Sequence, residues 1–202
     1  RAARMRLGAE MIRDNALAVS ELLVKKQGGP SVYPYQPEGL WDEISNKHWR
    51  YPYLQTPGDG LYRRSLYTIW KRTAPPPSML IFDAYDRSNC TVQRKQTSTP
   101  LQALALLNDP QYLEAARVIA EKLMQEEGLL DERIQSAFRM LTGRKASDKE
   151  MALLNELYQK EWTYFQQSPD AVEAYLSVGE YKSKSEMDRI SCAALAVVIH
   201  GI

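Results

Sequence analysis

The residues with the clearest chemical potential lie between Arg63 and Asn108 of this 202-residue chain. Between positions 63 and 95, seven basic side chains stand against two acidic ones, which gives the segment a local charge of +5. Guanidinium groups form forked hydrogen bonds with carboxylates, sulfates and phosphates. The segment therefore predicts a site for an anion or a polar polymer. Its candidate ligand-binding residues are Arg63, Arg64, Tyr67, Arg72, Asp83, Asp86, Arg87 and Arg94.

The same charges also fit an internal brace. In that interpretation Asp83 and Asp86 pair with the arginines, and the arginines satisfy backbone carbonyls of an irregular loop. A loop without strand partners needs side-chain partners, because buried polar groups are almost always hydrogen-bonded. The sequence favours the brace, and the anion site stays open beside it.

Catalysis has weaker support. An enzyme domain that acts on glycans, hydrolytic or redox, stays an alternative. Its active site would use Asp83 or Asp86 together with the arginines. Cys90 has basic neighbours that favour a thiolate, but His48 and His200 are distant in sequence. The chain shows no metal-ligand spacing, phosphate loop or catalytic triad. We predict no metal site and no cofactor within it.

Two cysteines give no metal site by themselves. Cys90 and Cys192 are about 100 positions apart, and the sequence cannot test whether their geometry suits a disulfide. Two buried free thiols are the favoured interpretation, and a single bridge stays open.

The elements that must position these side chains begin with a predicted helix over residues 3–26. Apolar residues recur at intervals of three, four or seven, which predicts a buried face. The charged face holds Glu10, Arg13 and Asp14, and we expect it to be solvated. The apolar stripes consist of Leu7, Met11, Ala18 and Leu22, and of Ile12, Ala16, Val19 and Leu23.

Residues 27–60 are predicted to form an irregular arm. Prolines at five positions forbid long helices there. The aromatic side chains could stack on sugar rings or fasten the arm to a helical core, and we favour the second. His48 has no visible partner as a ligand. The prolines are Pro30, Pro34, Pro37, Pro52 and Pro57, and the aromatics are Tyr33, Tyr35, Trp41, Trp49, Tyr51 and Tyr53.

Residues 61–127 form the predicted central region, and residues 131–202 the C-terminal helices. A short helix over 61–73, with Leu66 on its buried side, ends at three successive prolines. Thr99-Pro100 and Asp109-Pro110 are helix start signals. The helix 100–107 is nearly all apolar and is expected to be central. No segment alternates as a strand does. The sequence predicts one all-α domain over 1–202, irregular and multi-helical, with a long non-helical segment rich in proline and aromatic residues.

Composition narrows the function classes. A formal net charge of +1 gives no case for bulk nucleic-acid binding. No apolar run approaches the roughly 20 residues that span a bilayer, so we predict no membrane span. The chain opens on Arg1 and stops within an apolar run. We therefore expect it to be cut from a longer polypeptide.

Two blocks of the central stretch carry a resemblance. They read RRSLYTIWKRTAPPP (63–77) and FDAYDRSNCTVQRKQTSTPLQALALLNDP (82–110). They resemble the C-terminal domain of unknown function of large planctomycete-type secreted proteins. Three flanking segments resemble the same domain, so that the resemblance covers most of the chain. These are RLGAEMIRDNAL (6–17), GGPSVYPYQPEGLW (28–41) and AFRMLTGRKAS (137–147).

The resemblance implies an exported protein, in a bacterial periplasmic or extracellular setting. Such a compartment favours disulfides, which raises the expectation of a Cys90–Cys192 bridge. It implies that any haem c belongs to another module of the parent protein, because the attachment motif C-x-x-C-H is absent here. The expected partners are other domains of that protein, or an acidic or sulfated polysaccharide. The resemblance supplies no catalytic mechanism, because the family's activity is unassigned. We expect binding or scaffolding, because the basic, aromatic-rich centre holds no catalytic constellation.

Overall fold

The computed structural model describes residues 6–44, 52–85, 87–182 and 187–202. Within these ranges the chain is all-α, as predicted, and its few β contacts are isolated bridges. The helices are α1 Ala9–Val19, α2 Leu40–Ile44, α3 Pro77–Ile81, α4 Pro100–Asn108, α5 Pro110–Gln125, α6 Leu130–Thr142, α7 Asp148–Gln167, α8 Pro169–Leu176 and α9 Arg189–Gly201.

The chain divides into two compact units, residues 1–109 and 110–202. The boundary at Asp109 and Pro110 lies inside the predicted central region 61–127. The prediction of a single domain stays a prediction.

The first unit is built around α1. α3 packs against α1, and α4 packs against α3. Ala9, Met79 and Phe82 form a small core there, with Trp70 and Ala105 packed against it. The helix predicted over 3–26 is shorter in the structure, where α1 ends at Val19 and Glu21 adopts a left-handed conformation with φ of 61°.

The predicted helix over 61–73 is wrong. Two short 3-10 segments, Gly58–Tyr62 and Ser65–Tyr67, replace it. The reason is pairing with the arm: Val32 N donates to Tyr67 O at 2.8 Å, and Ile69 N donates to Val32 O at 2.8 Å. These long-range bonds take the backbone groups that a continuous helix would use. Leu66, predicted on the buried side, is 73% exposed.

Three aromatic residues of the arm pack against one another, and one of them meets Lys71 outside the arm. The attachment of the arm to a helical core stays a prediction. Tyr33, Trp41 and Tyr53 meet edge to face, with ring centroids 5.1–6.0 Å apart. The Lys71 ammonium lies 4.6 Å from the centroid of the Trp41 ring. Edge-to-face pairs of this kind are among the favoured aromatic arrangements. His48, Trp49 and Tyr51 lie outside the described residues.

α4 follows its predicted start signal but not its predicted burial. The Gln102 side chain accepts a hydrogen bond from Thr99 N at 3.2 Å, in the manner of a capping box. The expectation of a central helix is wrong, because Gln102 is its one buried residue. An apolar run on a short helix does not specify burial when only one side meets the core. The exposed leucines are Leu101, Leu104, Leu106 and Leu107.

The second unit is a helical bundle centred on α9. This helix packs against α5, α6, α7 and α8. It buries Cys192, Leu195 and Val198 almost completely. Two helix-end predictions are confirmed here. Gly143 ends α6 with φ of 73°, and the Ser147 hydroxyl accepts a hydrogen bond from Glu150 N at the start of α7. Both are the local chemistry that helix ends require.

Gly179 and Gly143 offer a test of packing in this unit. Both have positive φ, but a Cβ on Gly179 would lie 2.2 Å from Glu114 Oε1, whereas a Cβ on Gly143 meets open space. We expect Gly143→Ala to lower the free energy of unfolding by about 1–2 kcal/mol through backbone strain alone. Gly179→Ala should cost clearly more, because buried Glu114 must also move. Urea denaturation of both variants measures the difference, and equal losses would contradict the predicted clash.

Candidate functional site

A groove with a volume of about 1050 Å³ runs along the exposed side of α1. Its floor is apolar, because Leu7, Met11 and Leu66 are 45%, 59% and 73% exposed there. Apolar side chains gathered in a concave surface of this size are typical of binding sites. The lining also includes Ala18, Leu23 and Tyr67, and the polar residues Asn15 and Gln27.

Four cationic side chains line the groove. Lys25 and Lys26 are exposed and follow α1 in sequence. Among the described residues, neither has a carboxylate within ion-pair distance. Arg64 is 62% exposed, and Arg87 lies over the Trp70 ring at 4.4 Å. The groove therefore presents positive charge that the chain does not fully neutralise itself.

The two acidic side chains in the groove are engaged internally. The carboxylate of Glu10 forms a two-pronged ion pair with Arg94, at 2.5 and 2.8 Å. The carboxylate of Asp14 accepts from Ser65 N at 2.7 Å and lies 3.5 Å from Arg64 Nε. Bidentate and charge-assisted bonds of this kind are the strong ones. The field in the groove is consequently positive.

Arg13 lies on the opposite, buried side of α1 and is 3% exposed. Its guanidinium donates to Leu61 O and to Arg63 O, both at 2.7 Å, and to Ser65 Oγ at 3.3 Å. The expectation of a solvated face for Arg13 is wrong. The irregular segment 61–65 needs donors for its carbonyls, and a buried arginine supplies two of them.

Arg63 is a second buried brace, 4% exposed. Its guanidinium donates to Pro30 O at 3.0 Å, to Lys26 O at 3.2 Å and to Gly28 O. It also stacks on the Tyr67 ring, 3.8 Å from the centroid. The Tyr67 hydroxyl accepts from Gly28 N at 2.9 Å. Arg63 and Tyr67 together hold the turn at 26–30.

Asp83 and Arg94 tie down the polar loop that precedes α4. The carboxylate of Asp83 accepts from Thr97 N at 2.8 Å and from the Thr97 hydroxyl, and it pairs with Arg6 at 3.3 Å. Asp83 itself has φ of 60°. Arg94, besides its bond to Glu10, lies over the Tyr85 ring at 4.6 Å. These contacts match the brace interpretation.

The eight predicted site residues therefore separate into groups. Arg64, Tyr67 and Arg87 line the groove. Arg63 and Asp83 bind backbone groups, Arg94 binds the side chains of Glu10 and Tyr85, and Arg72 is exposed on the turn at 71–74. Asp86 lies outside the described residues.

Sequence reasoning missed several groove residues. Lys25 and Lys26 lie one residue before the Gly28-Gly29 turn, and their position at a predicted helix end is the signal that the sequence offers. Met11 and Leu7 were assigned to a buried stripe, although the stripe Ala9, Arg13 and Leu17 is the buried one. No pattern in the sequence marks an arginine as facing inward.

The cysteines do not form a nucleophilic site with these residues. Both thiols are free, with Cys90 exposed and Cys192 buried, so that the expectation of burial fails for Cys90. Burial raises the pKa of the Cys192 thiol to about 12, which keeps it protonated at neutral pH. Within the described ranges, no group of three or more histidine, cysteine or acidic side chains is placed to hold a metal ion.

No helix in the described part of the chain has the length and apolarity that a membrane crossing requires.

The two buried braces should dominate the stability of the first unit. Replacing Arg13 or Arg63 with methionine leaves buried carbonyls without donors, at about 1–3 kcal/mol for each such group. We expect each variant to lose at least about 2 kcal/mol of unfolding free energy. Arg64→Met removes only an exposed pair and should cost less than about 1 kcal/mol. Thermal unfolding by circular dichroism measures all three, and a loss in Arg64→Met equal to the other two would contradict the assignment.

The acidic braces predict a decrease of stability at low pH. The Arg94 guanidinium holds the pKa of Glu10 below its ordinary 4.5, and the hydrogen bond from Thr97 N lowers that of Asp83 below 3.8. Because the folded-state pKa values are depressed, this stabilisation is present above the unfolded values and is lost as pH falls through the folded ones. We expect the midpoint temperature of thermal unfolding to decrease as the pH is lowered below about 4.5.

Two substitutions made together test whether these carboxylates cause the loss of stability at low pH. Glu10→Gln with Asp83→Asn should lower stability at pH 7 and flatten the decrease at acid pH. Glu127→Gln, which removes an exposed carboxylate, is the control and should leave the profile unchanged. If the double variant and the parent chain show the same profile, the two carboxylates do not carry the effect.

Comparison with known proteins adds one match. The family model described as "PSD1: Protein of unknown function (DUF1553)" matches residues 1–158, ending within α7. No curated protein and no solved structure matches the chain. The matched family is the one that the central stretch resembles. The match spans more than half of the sequence, and the chain therefore belongs to the PSD1 (DUF1553) family of proteins of unknown function.

Proposed function

We propose that this chain is a binding module that holds an anionic ligand in the groove along α1. The observation that carries the proposal is the charge of that groove. Lys25, Lys26, Arg64 and Arg87 line it, and of its two carboxylates Glu10 is paired with Arg94 outside the groove, while Asp14 is shared between Ser65 N and Arg64. Positive side chains in a concave surface raise the local concentration of an anion and direct its approach.

The contacts of the acidic residues favour binding over catalysis. A general base must reach a substrate proton, but the Asp83 carboxylate already accepts two hydrogen bonds from Thr97 and pairs with Arg6. Such a carboxylate is stabilised in its ionised form and is poorly suited to take a proton. The enzymatic alternative built on Asp83 draws no support from this arrangement.

The setting that we propose follows from the resemblance of the central stretch. The module would act in the bacterial periplasm or outside the cell, within a larger protein whose haem c lies in another module. The anionic ligand would be an acidic or sulfated polysaccharide, or an acidic surface of a neighbouring domain. Each of these presents carboxylates or sulfates, which are the groups that arginine and lysine bind.

Charge reversal at the groove tests this function. We expect dextran sulfate or poly-glutamate to bind the chain at low salt, where screening is weak. The double variant Lys25→Glu, Lys26→Glu should weaken that binding by about tenfold or more, because it changes the local charge by four. Isothermal titration calorimetry measures both affinities.

The matched control is Lys149→Glu, Lys160→Glu, which makes the same change of charge at two exposed positions on α7. This variant should bind as the parent chain does. Equal weakening in both double variants would mean that net charge, and not the groove, attracts the polyanion. Failure of both polyanions to bind would contradict the proposed function.

A further inference from the structure

We infer that the occupant of the groove is a helical segment of another protein domain, with one apolar face flanked by acidic side chains. This inference rests on the proposed function and specifies the ligand class. It requires three properties of the groove: a helical face in its lining, exposed apolar side chains, and cations spread along its length.

α1 contributes one of its faces to the groove. Met11, Asn15 and Ala18 recur at intervals of four and three, so they lie along one side of the helix, and Leu7 precedes its first residue. α1 has 11 residues, which corresponds to about 16 Å of helix. A straight row of side chains with this spacing is the surface into which a second helix packs its own ridges. Amphipathic helices dock in apolar grooves through residues at such intervals.

The floor supplies the apolar contact. Met11 is 59% exposed and Leu66 is 73% exposed, although both line a concave surface. Covering such side chains removes apolar area from water, which is the main source of favourable free energy in association. Methionine also adapts its shape to the partner, because its unbranched side chain has three rotatable bonds.

The cations stand at successive places along α1. Arg87 lines the groove together with Glu10, which lies in the first turn of the helix. Arg64 lies 3.5 Å from Asp14, near the middle. Lys25 and Lys26 follow the helix end and line the same groove. A partner helix with acidic residues in several turns along its flanks would meet this row of charges.

A sugar polymer fits the groove less well. Sugars stack on exposed aromatic faces, and among the described lining residues the aromatic ring is that of Tyr67. One face of this ring is covered by the Arg63 guanidinium at 3.8 Å. The rest of the floor is aliphatic. Aliphatic side chains favour the leucine-rich face of a helix over the hydroxyl-rich surface of a glycan.

Two synthetic peptides and one polysaccharide make the test. The first peptide has about 15 residues, with leucine at intervals of three and four and glutamate on both flanks. The second has the same composition in an order that spreads leucine around the helix. Dextran sulfate is the third probe. Titration calorimetry at one salt concentration compares the three on the full chain.

We expect the amphipathic peptide to bind about tenfold or more tightly than the reordered peptide, since only it offers a continuous apolar face. The double variant Met11→Gln, Leu66→Gln leaves the charge unchanged and should reduce this affinity by about tenfold. Leu129→Gln, Leu153→Gln is the control, because these exposed leucines lie in the other unit. It should have no effect.

Three other outcomes would count against the inference. Equal affinity for the two peptides would overturn it, because the apolar face would then contribute nothing. Groove-dependent binding of dextran sulfate alone would overturn it while leaving the proposed function in place. Failure of all three probes to bind would overturn both.

Discussion

Irregular backbone needs hydrogen-bond partners, and in this protein buried arginines provide them. Arg13 and Arg63 together donate to five carbonyls of the first unit, in segments that lie outside its α-helices. Leaving such carbonyls unpaired away from water would be costly. The conformations of residues 26–30 and 61–65 therefore depend on two guanidinium groups.

The second unit uses the same arrangement. Arg117 of α5 is 2% exposed; it pairs with Glu121 at 2.5 Å and donates to Tyr181 O at 2.7 Å. Glu114, on the same helix, accepts from Tyr181 N at 2.8 Å. In both units a helix therefore directs charged side chains inward to hold an irregular segment. A planar guanidinium with five donors suits this task better than an ammonium group.

The orientation of α1 links stability to the groove. Because Arg13 must face inward to reach Leu61 and Arg63, the residues on the other side of α1 face outward. Met11 is among them, and together with Leu7, which precedes the helix, it lies exposed in the groove. A helix rotated to bury those apolar residues would take Arg13 away from its carbonyls. The brace and the candidate site are thus two sides of one helix.

Local signals in the sequence were sufficient for much of the fold. The all-α class, the starts of α4 and α7 and the end of α6 follow from capping residues, proline and glycine, which act within one or two turns. The orientation of α1 and the breakdown of the helix at 61–73 depend on partners 30–50 positions away, such as Arg13 with Arg63. Periodicity cannot report such contacts. For the same reason the sequence located the basic stretch but not the groove, whose lysines and two of whose exposed apolar residues, Leu7 and Met11, come from the first 26 residues.

The position of α9 in its unit has a consequence for folding during synthesis. This helix supplies the middle of the second core, packing against four other helices, yet it is the last helix of the unit to leave the ribosome. The first unit has all of its residues once Asp109 has emerged, and it can fold while translation continues. The second unit lacks its central helix until Gly201 is made. During that interval α5 and α7 lack the helix that covers their apolar faces, and we expect this exposed surface to be a binding site for chaperones during synthesis.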